Sequence, residues 1–185
     1  MTRAEPGRVR CATVAPVLTD AQADRLEGCA RVLRPPALVV MTGNVAPEAL
    51  AAVRAGAGAG VEVVVLSATE VGRVEGSIDM LFVGPASPYD VAVEMFQHWP
   101  GRVVPGGTLF VDGAFALAPL TAALLRTIGC SRAWRYFGRE GALAEYVRAD
   151  LSHGERVLDA IVQAAQLPSF ARRLARRRAA ALRSS

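Results

Sequence analysis

Few residues in this chain are suited to chemistry. Two histidines, His98 and His153, stand alone, and the three cysteines, Cys11, Cys29 and Cys130, are widely spaced with no C-x-x-C pair. Metal sites draw on clusters of such ligands, so no metal centre is expected, and the cysteines read as free thiols of a reducing compartment. That leaves carboxylates and hydroxyls where apolar runs end. Asp112 closes the run TLFV, residues 108–111. A carboxylate at the C-terminal end of a strand sits on the edge where open α/β sheets bind ligands, and there it can serve as a general base. Asp also suits a turn or a helix cap, and both roles stay open. Thr42, Gly43 and Asn44 follow the run ALVVM. They make either a ligand-facing loop or a plain turn that uses the backbone freedom of glycine. Asp79, at the start of its strand and away from that edge, reads as structural.

The elements that would position these groups follow from periodicity. Apolar residues at helical spacing predict a helix over 19–33, capped by Thr19 or Asp20 and stopped by Pro35 and Pro36. ALVVM (37–41) is short and β-branched, as expected of a strand buried on both faces. Pro47 suits the first turn of a helix, PEALAAVRAGA, that ends in glycines 56, 58 and 60. VEVVVLS (61–67) reads as a second buried strand and IDMLFV (78–83) as a third. A helix near 90–99, a turn over Val104-Pro105-Gly106-Gly107, a strand over 108–112 and a helix over 116–128 come next. WRYFG and ALAEYVRA read as two tightly joined strands, and the chain is helical from about His153, interrupted at Pro168. Apolar strands alternating with helices predict a Rossmann-like α/β fold: a mostly parallel sheet with helices on both faces and an antiparallel edge hairpin.

Composition sets the frame. The chain has 185 residues, 52% hydrophobic and 21% charged, which fits one globular domain with a substantial core. Residues 19–167 form that expected domain, preceded by an extension (1–18) and followed by a basic helix (168–185). The net charge of +4 is uneven: no acidic residue follows Asp159, whereas Arg172, Arg173, Arg176, Arg177, Arg178 and Arg183 do. The first residues lack the apolar run of an export signal, and no run is long enough to span a membrane, so a cytoplasmic location is expected. The basic end places apolar residues opposite arginines. It can lie weakly on an anionic membrane surface, or pack on the domain. No stacking platform or recognition motif accompanies it, so no nucleic-acid partner is expected.

The stretch SIDMLFVGPASPYDVAVEMFQHWPGRVVPGGTLFVDGAF resembles the fourth strand, following helix and fifth strand of class I S-adenosylmethionine-dependent methyltransferases. WRYFGREGALAEYVRADL resembles the closing hairpin of one bacterial subgroup, and LTDAQADRLEGCARVL its N-terminal helix. The resemblance implies S-adenosylmethionine bound across the strand ends near Thr42, Gly43, Asn44, Ser67 and Ser87. It implies methyl transfer to a hydroxyl of a sugar or small molecule, with Asp112 as the base. The chain departs from the family in several places. Met41 stands where an acid is usual in the first loop. The second family strand ends in an acid for the ribose hydroxyls, and here Ser67 stands there, with Glu70 three residues on as the substitute. Of an Asp-Gly-x-His-x-Tyr motif only Tyr89 survives, and Asp112 is displaced by one place from the family carboxylate. About one βα unit, roughly 30 residues, is missing between Ser67 and Ile78, so VEVVVLS fits either the second or the third family strand. These departures also fit a second reading: a non-catalytic relative that pairs with itself or with an intact homologue.

Overall fold

The computed structural model describes residues 18–67, 70, 73–86, 89–168, 170–172 and 175. Six strands form one sheet: β1 (Ala37–Thr42), β2 (Val61–Leu66), β3 (Ile78–Val83), β4 (Val103–Asp112), β5 (Trp134–Glu140) and β6 (Leu143–Arg148), in the order β2-β1-β3-β4-β6-β5. The first four are parallel, and β6 and β5 close the far edge antiparallel. The Rossmann-like α/β architecture is the expected one.

Alternation along the strands decides which helices cover which face. Val39, Met41, Met80, Phe82, Phe110 and Leu143 pack with α1 (Asp20–Arg31) and α2 (Pro47–Gly56). Val40, Leu81, Val83, Leu109, Val111 and Tyr146 pack on the other side. There they meet α3 (Tyr89–His98), α4 (Ala118–Leu124) and the π-helical turn Leu125–Gly129. Both caps are written in the sequence. Thr19 and Gln22 form a capping box on α1, and Ser152 and Glu155 form one on α5 (His153–Ala164). Helix α1 is tied to the hairpin by a bidentate Arg25–Glu145 pair at 2.7 and 2.8 Å and by Gln22 Nε2, which donates to the Glu140 carbonyl. Asp79 is structural: its carboxylate accepts the Leu38 N–H at 2.8 Å.

Three expectations need correction. VEVVVLS is not buried on both faces. Strand β2 is the sheet's outer strand, its residues half-buried or exposed, with Val65 44% exposed. No α-helix lies between it and β3 among the described residues to cover it. Its place beside β1 matches it to the second family strand, because strand 2 adjoins strand 1 in doubly wound sheets and strand 3 lies outside; no strand lies outside it among the described residues. The Val104–Gly107 turn is part of β4. Ile78 pairs with Val103 and Met80 with Thr108, so three extra residues bulge out, aided by Gly106 at φ +81°. The helix expected over 116–128 changes pitch at Leu125 into the π-helical turn.

Helices α1 and α2 cross where Gly56 ends α2. A Cβ there would overlap the Glu27 carbonyl and stand 3.0 Å from the Ala30 Cβ. Gly56→Ala should therefore destabilise the protein. The overlap falls on a helix terminus that can partly unwind, and alanine recovers some helix propensity, so the expected loss is about 1–2 kcal/mol. Urea unfolding midpoints compared with wild type read this directly.

Candidate functional site

The chain order reverses between β1 and β3: β1 is followed by α2 on one face, β3 by α3 on the other. Such a switch point is where open α/β sheets carry ligands, beyond the carboxyl ends of the strands. Thr42, Ser67, Gly84 and Asp112 all lie on that edge.

Thr42 ends β1, fully buried, and its hydroxyl has no hydrogen-bond partner among the described residues. Gly43 (φ +82°) and Asn44 then turn the chain outward and are both exposed. The loop is pinned beneath: the Gly84 N–H donates to the Thr42 carbonyl at 2.8 Å, and the Val45 N–H to the Gly43 carbonyl at 3.1 Å. A Cβ on Gly43 would stand 3.0 Å from both the Gly84 carbonyl and the Met95 methyl, and one on Gly84 would lie 2.5 Å from the Asn44 carbonyl oxygen. The two glycines let the β1 and β3 loops touch backbone to backbone. Ala46 then leads into α2 without a side-chain cap, leaving first-turn N–H groups facing this loop. Met41 lies one residue too early to reach the loop and packs, fully buried, in the core under α1 and α2.

At the end of β2, Ser67 and Glu70 form a closed polar turn. The Ser67 N–H and hydroxyl donate to Glu70 Oε2 at 2.9 and 2.8 Å, and Arg73 pairs with the same carboxylate at 2.5 Å. The Ser67 bonds hold the Glu70 carboxyl below its ordinary range. Ser87 lies outside the described residues.

Asp112 ends β4, 2% exposed, and its Oδ2 is the other buried side-chain atom without a partner among the described residues. Burial pushes its carboxyl up to about 6, with a hydrogen bond from the Gly113 N–H acting in the opposite sense. Beyond it the turn is tight: Gly113 has φ +85°, and Phe115, at φ +54°, is driven into the core against Tyr136. Left-handed backbone at a bulky residue costs energy and is common at functional sites. Asp112 pairs in register with Leu143, on the α1/α2 face, whereas Thr42 falls on the opposite face by alternation. The structure thus brings Thr42, Gly43 and Asn44 together at the switch point and Ser67 with Glu70 beside it. It sets Asp112 two strands away on the same edge.

On Asp112's face a groove of about 200 Å³ lies between α1 and the hairpin, lined by Arg25, Phe110, Phe137, Arg139 and Leu143 among others. Gly84 and this groove were not expected from sequence; each depends on contacts between segments far apart in the chain. No group of three or more potential metal ligands occurs among the described residues.

No family model and no curated protein matches the sequence. Solved structures do match. Cofactor-bound Rv0187 from MTB is 15% identical over 74% of this chain and 83% of that one, with a TM-score of 0.58. The O-methyltransferase from Bacillus cereus in complex with SAH is 11% identical over 74% and 83%, with a TM-score of 0.52. The O-methyltransferase TomG from Streptomyces achromogenes, in complex with SAM, is 14% identical over 74% and 82%, with a TM-score of 0.50. The chain has the fold of the class I S-adenosylmethionine-dependent methyltransferases. Among the described residues that fold is shortened, with no strand beyond β2.

Proposed function

We propose that the chain is an S-adenosylmethionine-dependent methyltransferase acting on a hydroxyl of a sugar or another small molecule. The observation that carries this is Asp112: a buried carboxylate with an unpaired oxygen, at the ligand edge, titrating near 6. Such a group is ionised at neutral pH yet basic enough to take a proton. The switch point suits a polar cofactor: an orphaned Thr42 hydroxyl, an exposed Gly43-Asn44 backbone and an uncapped helix start.

S-adenosylmethionine, when bound, supplies an electrophilic methyl group on a sulfonium. In this reading Thr42 and the backbone of Gly43 and Asn44 hold its polar end. Ser67 and Glu70, whose existing bonds must be shared or exchanged, receive hydroxyls at the end of β2. Asp112 accepts the acceptor's hydroxyl proton at Oδ2. Much of the rate then comes from holding acceptor and methyl in line.

Titration with S-adenosylhomocysteine tests the reading. Micromolar binding is expected, and at a hundredfold excess over Kd it should add about 2.7 kcal/mol, or about 5–10 °C in Tm. Gly43→Arg, which places a long side chain at φ +82° against Gly84, should abolish it. Absence of protection in a folded wild-type protein would reject the enzyme and leave the fold as a non-catalytic partner, of itself or of an intact homologue.

A further inference from the structure

Helix α5 is docked the wrong way round for a helix that belongs only to this core. Its buried residues are Asp159 and Gln163, both polar. Asp159 Oδ1 accepts the Tyr136 N–H at 2.8 Å, and Gln163 Nε2 donates to Asp159 Oδ2 at 2.6 Å and to the Gly129 carbonyl at 3.2 Å. The Tyr146 hydroxyl donates to Gln163 Oε1 at 3.2 Å. These bonds fix the rotation of the helix about its axis. The apolar residues therefore point outward: Val157 is 46% exposed, Leu158 65%, Ile161 59% and Val162 50%. They lie at i, i+1, i+4 and i+5, one continuous stripe. Leu167, 38% exposed, follows just beyond the helix.

The charge that follows α5 in the sequence is of one sign. After Asp159, itself buried and bonded, the chain holds six arginines and no acid. Glu155, at the start of α5, is paired with Arg135 at 2.6 Å. An apolar helical face followed in sequence by a purely basic segment fits an interfacial helix, which couples apolar burial to attraction for anionic headgroups. A second copy fits less well: specific interfaces engage about 20–30 residues a side, and these five apolar side chains are a small part of that. No helix among the described residues is long and apolar enough to cross a membrane.

We propose that the exposed face of α5, with the arginines that follow it, docks the protein on an anionic lipid surface. Cosedimentation of the full chain with vesicles tests this. Vesicles of phosphatidylcholine with 40% phosphatidylglycerol, a composition of about the charge needed to reveal such binding, should bind it, and pure phosphatidylcholine should not. Raising the salt should release it. Ile161→Glu and Leu158→Glu should each lower partitioning about tenfold or more. Both sites are exposed, so thermal unfolding should stay at the wild-type temperature and separate lost docking from lost fold. The proposal falls if the wild-type chain ignores anionic vesicles, if it binds neutral ones equally, or if the variants bind as wild type. It falls equally if ultracentrifugation shows a dimer that Ile161→Glu dissociates, since the stripe would then belong to a second copy.

Discussion

Asp112→Asn is expected to flatten the pH dependence of stability and to remove most methyl transfer in the same step. The unfolded chain ionises this carboxyl near 3.8, whereas the native protein keeps the proton up to about 6. Between those values the native state binds more protons than the unfolded state, so stability falls as pH rises through the window. The contribution is fully present below about 3.8 and lost above about 6. The size of the shift makes it about 3 kcal/mol, a cost the native protein carries at neutral pH. Asparagine has no charge to desolvate, so wild type and variant should diverge by about that amount, in the variant's favour, between pH 3.5 and 7. The new amide brings N–H groups into the same unpartnered position, which takes back about 1–2 kcal/mol. A net gain of about 1–2 kcal/mol at pH 7.5 follows. Urea denaturation of both proteins across that range measures the divergence, and parallel curves would sink it. Activity should move the opposite way, down about 10²- to 10⁴-fold, with S-adenosylhomocysteine binding retained. A variant that is stabilised yet fully active would make Asp112 a turn residue that happens to be buried.

That pairing of local cost with chemistry also explains what the sequence could and could not disclose. β1 and β3 were legible because their apolar runs are buried on both faces by helices the sequence also announces. β2 carries the same kind of run, but burial of a run depends on what arrives to cover it, and no helix follows β2 before β3 among the described residues to do so. The Val104–Gly107 segment carries turn residues, and only the partner strand's register makes it a bulge. Asp112 was visible as a carboxylate at a strand end. Its orphaned oxygen was not, because isolation is a property of everything that surrounds it. Glu70 had a local signal in the Ser67-x-x-Glu70 spacing, which is that of a capping box and predicts a side chain turned back on Ser67. In α5 the periodicity shows a stripe, but not that Asp159 and Gln163 would claim the inward face.

Gly84→Ala should be the most damaging single methyl on the ligand edge. The added Cβ would stand 2.5 Å from the Asn44 carbonyl oxygen, 2.7 Å from its carbon and 3.1 Å from the Asn44 nitrogen. All three are backbone atoms, so no rotamer change relieves the overlap. The loop cannot simply lift away either: the Gly84 N–H holds the Thr42 carbonyl, and Thr42 is buried beneath. Overpacking against fixed backbone costs about 2–3 kcal/mol, or about 5–10 °C in Tm for a domain of this size. Gly101→Ala, where a Cβ meets nothing within 4 Å, should stay within about 0.5 kcal/mol of wild type and serves as the control. The displaced segment is the Thr42–Asn44 loop, so S-adenosylhomocysteine affinity should fall with stability. Calorimetric titration below the variant's unfolding temperature separates the two effects. If Gly84→Ala destabilises the fold but binds the ligand as wild type does, the touching loops are a structural clasp, and the cofactor site must be sought along the edge toward Ser67 and Asp112.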